Sequence, residues 1–565
     1  MRKIPEILFL AFLFLQGTVF SQDLNREKNI NLTLSILSAR GEAYIAIPTA
    51  QRKSFLMNME GLTLDKQSDS LSFFYVDTEQ FQGILNANID FEILTAPSML
   101  APVRMASDLD EILAGAAYPG YQQYLDLMKR FGETYPDLCT IDTIGVSIGG
   151  KLILSARMQN GDYTGGERPI VFYSSSMHGD ESVGYSLMLM LIDDVLKNAV
   201  SSPQISTILN DMVLIINPLS NPDGAYFQSD VSLFGAKRYN LNNVDLNRNF
   251  PDVRLGMDYS SPGMEKENLA MVSYMEKFPP MLSANFHTGA EVLNYPWDSW
   301  YSDERKHADN EWFIEICKDY VQAARSSDPS YLRLYPEGYV FGSDWYWIPG
   351  GRQDFVTYNL RGRELTIELS DVKLPAVSQI PGFWNKNRTA LLDLAAKAGF
   401  GIYGTVSERG TLKPIAAKVE IPGYDQNESN VFSHRQTGNF FRFLPQGSYE
   451  LEISAEGYVS EFVTVQVIKN QRTEIGIQLA KIGGEEPSDL EILVKSSPGN
   501  HELFIELKGD GSEVFSADLY DLTGRIVQEN IFIGNSGTVG GAMFRGIYIL
   551  KVKSKQQSLN RLVFL

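Results

Sequence analysis

His178-Gly179-Asp180-Glu181 lies between a strand-like run at 169–176 and an apolar, helix-like run at 182–192. An imidazole and a carboxylate at i and i+3 can close on one metal ion if the turn curls. Zinc accepts both donor types and, at catalytic sites, takes three protein ligands and keeps one position open. The stretch is therefore one ligand short. A second histidine, His287, ends the run 282–286 and is followed by Thr288-Gly289. Of the five histidines in the chain, only these two sit at strand ends with polar neighbours inside the region where strands and helices alternate. Either one alone reads as readily as a hydrogen-bonded core or surface residue. Cys139 and Cys317 are too far apart to form a metal-type pair, so a zinc site here must come from His, Asp and Glu; a single bridge between them stays open. Between the histidines lie Arg238 and the segment Asp245-Leu246-Asn247-Arg248-Asn249-Phe250-Pro251-Asp252. Guanidinium forks beside a metal suit an anionic ligand such as a carboxylate, although the segment alone could be a surface turn.

Such residues need a scaffold that brings strand ends together. From about residue 118 to 400 strands and helices alternate. Residues 121–131 have helical period and are closed by Gly132 and Pro136, while 213–218, 283–287 and 365–369 read as buried strands. This is the pattern of an α/β fold, a mixed or mainly parallel sheet with helices on both faces, which places ligands at the carboxyl ends of its strands. Residues 22–105 alternate short apolar runs with polar breaks and read as a small α+β unit, either a pro-segment or an accessory domain. After Gly401 helical period vanishes, and short strands separated by turns predict two small all-β sandwiches. The expected division is a signal peptide at 1–21, the N-terminal unit at 22–110, the α/β unit at 111–400, a sandwich at 401–480, a linker at 481–490 and a last β unit at 491–565. No internal repeat is evident.

At 565 residues, 44% hydrophobic and 21% charged, the chain has material for two to four globular units. A net charge of −20 argues against a nucleic-acid partner, which would require a basic stripe; a solvated acidic surface accounts for it without any partner. Met1-Arg2-Lys3, the apolar run 7–15 and Ser21 before Gln22 have the form of a secretory signal peptide, with cleavage expected after Ser21. The run is short for a membrane span, and no later stretch replaces it. The mature chain is expected to lack a transmembrane segment and to be secreted or held at the cell surface after periplasmic export.

Taken together, the motifs resemble the zinc metallocarboxypeptidases, in particular the branch with carboxypeptidases D, E and N. The resemblance rests on His178-Gly179-Asp180-Glu181, on Asp245 to Pro251, on His287 with Asn294-Tyr295-Pro296, and on Glu368-Leu369-Ser370 followed by Lys373 and Pro375. Asn221-Pro222-Asp223-Gly224, Trp345-Tyr346, Gly350-Gly351 and Gln353-Asp354 extend it, in order, across roughly 115–400. It implies one zinc ion held by His178, Glu181 and His287, with Glu368 as general base. Arg238, Asn247 and Arg248 would hold a terminal carboxylate and polarise the scissile carbonyl, and Tyr346 would close over the peptide. The substrate would be the C-terminus of a peptide or protein.

The resemblance also sets Asp298 and Gln353 against the side chain of the C-terminal residue, which implies a preference for Lys or Arg. Arg352 departs from the methionine usual there and would weaken that preference if it pointed into the pocket. Residues 401–480 resemble the transthyretin-like module of the same branch. The last unit resembles a C-terminal sorting domain of the type IX secretion route, whose machinery would be its partner. The reading is thus an exported zinc carboxypeptidase. The alternatives are a carboxypeptidase or amidase acting on cell-wall peptides of the diaminopimelate type, and a non-catalytic surface-binding protein.

Overall fold

The computed structural model describes residues 19–50, 63–163, 165–256, 263–482, 491–497, 502–508, 514–533, 536–540, 547–553 and 558–564. Most of the expected signal peptide and most of the expected linker lie outside these residues.

The N-terminal unit joins a helix, Val19–Arg40, and a helix, Thr78–Asn86, to a four-stranded antiparallel sheet. The sheet contains β1 (Ala43–Pro48), β2 (Thr63–Gln67), β3 (Leu71–Val76) and β4 (Glu92–Leu94) in the order β2-β3-β1-β4. Asp77 starts the second helix with a capping box, its side chain accepting from the Gln80 backbone N–H while Gln80 reaches back to the Asp77 N–H. The apolar run at 31–37 belongs to the first helix, where Leu37 faces a small core with Ile45, Ile47, Phe74 and Phe81.

The central unit is an eight-stranded mixed sheet. Its strands are β5 (Cys139–Val146), β6 (Leu152–Met158), β7 (Ile170–Ser175), β8 (Val213–Asn217), β9 (Leu282–His287), β10 (Ala290–Tyr295), β11 (Tyr339–Phe341) and β12 (Arg363–Ser370). Their order is β11-β10-β12-β9-β7-β8-β6-β5, and the four central strands, β12, β9, β7 and β8, run parallel. Successive side chains of a strand point to opposite faces, and the packing follows that alternation. Val171, Tyr173, Leu214 and Ile216 meet the helices Tyr121–Thr134, Val183–Lys197 and Ile380–Ala396. Ile170, Phe172, Val213 and Ile215 meet the helices Lys266–Lys277 and Arg352–Tyr358 on the other face. Central strands buried on both sides explain the continuous apolar runs in this region. Cys139 and Cys317 are buried and free, so the bridge left open from the sequence does not form.

Beyond Gly401, a three-stranded and a four-stranded sheet enclose one apolar core between them. Asp309 of the central unit enters this junction. Arg442 and Arg363 both pair with it, and all three side chains are buried. The described part of the last unit is β-strand only, in two further sheets.

Candidate active site

The site lies at the carboxyl ends of β7, β9 and β12. Ser176, just past β7, takes a left-handed backbone (φ 52°), and its hydroxyl donates to the Glu181 carbonyl at 2.8 Å, which curls the turn. Gly179 is needed there because a Cβ would lie 2.2 Å from the backbone carbon of Gly224. The register of β9 against β12 sets His287 beside Glu368.

Curling brings three donors to one point. The Nδ1 atoms of His178 and His287 lie 3.0 Å apart, and Glu181 reaches them with Oε1 at 3.0 Å and Oε2 at 2.9 Å. One ligand atom from each of the three residues falls within 4.8 Å of the others. His178 turns its other nitrogen to Asp245 Oδ1 at 3.1 Å, the outer partner that fixes ring orientation in metal-ligating histidines. His287 Nε2 is buried without a hydrogen-bond partner among the described residues. Two ring nitrogens and a carboxylate facing one another at this distance form a cation cage, and His-Glu-His is a donor set that zinc takes.

Around the cage the charges are strongly interlocked. Lys373 Nζ reaches Glu181 Oε1 at 2.6 Å, and Arg238 Nη1 reaches the same oxygen at 3.1 Å. Arg238 Nε also donates to Asp245 Oδ2 at 3.1 Å. Burial would raise the pKa of Glu181, but His178, Lys373 and His287 outweigh it and hold the carboxyl well below its ordinary range. Asp245 is likewise held low, by Arg238, His178 and Arg248 against burial. Burial pushes His287 down to about 4, favouring the neutral ring that a metal needs. Glu368 goes the other way: burial first, and Glu181 second, raise it well above its usual value, and its Oε2 has no hydrogen-bond partner among the described residues.

The remaining expected residues gather around this centre. Arg238, Asn247, Tyr346 and Glu368 line the same cavity as the three ligands. Arg248 lies over the Tyr346 ring, 6.0 Å from its centroid, with Nε and Nη2 unpartnered among the described residues. Asp298 and Gln353 sit behind Gly351, bonded to each other at 3.1 Å. Asp354 pins this loop by accepting from the backbone N–H of Asp298 at 2.9 Å and of Ser299 at 2.8 Å. A Cβ on Gly342 would fall 1.9 Å from Asp298 Oδ1, so glycine is what lets the chain pass this carboxylate. Arg352 points to Ser174, Ser283 and Glu364, ion-paired with Glu364 at 3.1 Å and stacked over Phe172. Its guanidinium is thus engaged beneath the sheet.

Three contributors had no role assigned from the sequence. Lys373 and Asp245 lie inside quoted motifs, but their contacts with Glu181 and His178 depend on folding across 192 and 67 residues. Asp180 accepts the Tyr75 hydroxyl at 2.6 Å, a contact from the N-terminal unit that no local pattern signals.

A family model described as zinc carboxypeptidase matches residues 124–390. Carboxypeptidase SOL1 of Arabidopsis thaliana is 31% identical over 364 residues, covering 63% of this chain and 71% of the relative. Carboxypeptidase D of Homo sapiens is 30% identical over 444 residues, covering 74% of this chain. The chain spans only 30% of the length of that relative. Among solved structures, a carboxypeptidase A from Helicoverpa armigera aligns with a TM-score of 0.47 at 16% identity, covering 63% of this chain and 97% of that one.

Proposed function

This chain belongs to the zinc carboxypeptidase family, and on that premise we propose that it hydrolyses the C-terminal peptide bond of peptides or proteins. The observation that carries this reading is the cation cage, with His178 Nδ1, His287 Nδ1 and the Glu181 carboxylate facing one another, and beside it polar atoms that are buried and unpartnered among the described residues: Glu368 Oε2, and Arg248 Nε and Nη2. Buried polar groups are seldom left unpaired without a ligand to meet them, and a cation, an acid–base group and a guanidinium are what C-terminal hydrolysis uses.

His178, Glu181 and His287 would hold zinc, which when bound polarises a carbonyl and lowers the pKa of a water. Arg248 would fork the substrate's terminal carboxylate, with the Asn247 amide as a second donor. Arg238, fixed by Glu181 and Asp245, would stabilise negative charge developing on the carbonyl oxygen. Glu368, its affinity for protons raised by burial, would accept a proton from the attacking water and return it to the leaving amine. Tyr346 would close the site. For the side chain of the last residue, the reading is Lys or Arg. Asp298 supports it as a buried carboxylate with no cation bonded to it among the described contacts, and Arg352 does not cancel it because its charge is met by Glu364.

Export through the N-terminal signal, a transthyretin-like character for 401–480 and a sorting role for the last unit belong to the same reading. They are supported by the sequence resemblance and by the all-β build of the described C-terminal residues. Among the described residues, no helix is long and apolar enough to cross a membrane.

The test is a peptide panel varying only the last residue, with and without a chelator. Chelator-sensitive release of the last residue, fastest for Lys and Arg, is expected. Release only from diaminopimelate-ended peptides would move the substrate to the cell wall. Hydrolysis that ignores the chelator would overturn the reading.

A further inference from the structure

Asp298, the carboxylate read as selecting the last side chain, stands in the segment 296–309, which has neither helix nor strand. A site carried by a loop is only as exact as the groups that support it. At its near end the segment is fixed by Asp354 and by Ser343, whose backbone N–H donates to the Trp297 carbonyl at 2.9 Å. Its far end is held from a different unit.

The holding residues come from the β-unit that follows Gly401. Arg442, on the strand Asn439–Arg442, forks onto both carboxylate oxygens of Asp309, with Nη2 to Oδ1 at 2.9 Å. Asp425 Oδ1 accepts from the same Nη2 at 2.7 Å. Asn427 Nδ2 donates to the Lys306 carbonyl at 3.2 Å, and the Ser429 carbonyl accepts from Arg363 at 2.8 Å. Inside the segment, the Asp309 backbone N–H donates to His307 Nδ1 at 2.9 Å. The His307 ring packs on Trp297, 5.4 Å between centroids, and Trp297 is fully buried. Contact is therefore continuous from Arg442 to the chain neighbour of Asp298.

We propose that this β-unit positions the side-chain pocket: Arg442, acting through Asp309, His307 and Trp297, fixes where the Asp298 carboxylate stands. This rests on the carboxypeptidase reading and adds to it a residue that governs the choice of last side chain without touching substrate. Arginine suits the task because its planar fork fixes direction as well as charge. The charges at the junction also cancel, since Arg363 and Arg442 face Asp309 and Asp425. Lysine at 442 would keep that balance and lose the fork.

The test uses the full, zinc-loaded chain. Arg442→Lys is compared with the wild type and with Arg409→Lys, the same exchange at an exposed ion pair with Glu461 in the same unit. Misplacing a group by about 1 Å can cost about 10²-fold in rate, but Asp298 meets the side chain rather than the reacting bond. For a Lys-ended peptide, kcat/KM of Arg442→Lys is therefore expected to fall about tenfold, carried by KM, while a Leu-ended peptide stays within about twofold. Arg409→Lys should match the wild type. Equal loss on both peptides is what a merely structural role gives and overturns the proposal, as does an unchanged Lys/Leu ratio. Hydrogen exchange at 297–300 should speed up in Arg442→Lys while 170–175 stay protected. If Arg442→Lys does not fold, Asn427→Ala takes its place with the same readouts. If the wild type cleaves no peptide of the panel, the carboxypeptidase reading fails and exchange at 297–300 decides: faster exchange in the variant supports the positioning role, and equal exchange overturns it.

Discussion

Replacing Asp298 by asparagine separates the pocket's charge from its shape. The side chain is buried, only 2% exposed, and Oδ1 accepts from Gln353 Nε2 at 3.1 Å. Asparagine keeps the volume and that acceptor and deletes only the charge. A substrate ammonium about 4 Å away would interact with the carboxylate by about 4 kcal/mol at an effective dielectric of 20. Truncating one partner of a buried charge pair costs about 2–5 kcal/mol. Asp354 lies behind and remains negative in part, which moves the expectation to the lower half of that range. The predicted fall in kcat/KM for a Lys-ended peptide is therefore about 10²-fold, at about 1.4 kcal/mol per decade. A Leu-ended peptide should be cleaved as before or somewhat faster.

The same pocket predicts a pH signature. Burial and the neighbouring Asp354 hold the Asp298 carboxyl well above its ordinary range, and Asp354 itself is pushed up to about 6, chiefly by burial. At low pH the pair is protonated and offers a cation little. As pH rises through about 6 and beyond, charge appears and the Lys/Leu ratio of kcat/KM should climb. In Asp298→Asn the ratio should stay nearly flat. Steady-state assays with the two peptides between pH 5 and 9 read both effects. An equal loss on Lys- and Leu-ended peptides, or an undiminished Lys preference in the variant, refutes the assignment of Asp298 to side-chain recognition.

Glu368→Gln should lower kcat by about 10²- to 10⁴-fold, the usual contribution of a positioned acid–base group, while zinc content and peptide affinity are retained; an unchanged kcat removes Glu368 from the chemistry. His307 gives a stability test. Burial first, and Arg363 second, hold it down to about 3 against an ordinary 6.5. The folded chain keeps it neutral while the unfolded chain protonates, so stability is lost as pH falls below about 6.5, by about 1.4 kcal/mol per unit, and the loss levels off near 3. In urea unfolding between pH 6.5 and 4.5, His307→Asn should lose less than the wild type by that slope; parallel curves would contradict it. Finally, Asp65 on β2 lies 3.2 Å from Lys373, which holds Glu181; zinc transfer to a chromogenic chelator should be faster from Asp65→Lys than from the wild type, and equal rates would mean that β2 gives the cage no support.

Legibility from sequence followed the reach of each interaction. His178, Glu181 and His287 could be read because metal binding restricts residue type and strand ends restrict place. The alternating faces of β7 and β8 showed as apolar runs because burial on both sides leaves that imprint. Arg352 was ambiguous because a guanidinium's type says nothing of its direction; only folding pairs it with Glu364 on β12, beneath the sheet rather than in the pocket. Tyr75 and Asp65 were not legible at all. Each is an ordinary strand residue, and its partner, Asp180 or Lys373, lies in another unit.

Those two contacts also explain why the N-terminal unit cannot be treated as a bystander to the metal site. Lys373 and Arg238 both hold Glu181, and Asp245 orients His178. The docked unit in turn places Asp65 on Lys373, Thr63 on Asp245 and Glu42 on the Arg238 backbone. Outer-shell partners of this kind tune metal affinity by about 10- to 100-fold. Coupling between two binding events is reciprocal: if the docked strand steadies the cage, a cation in the cage must steady the docked strand by the same free energy.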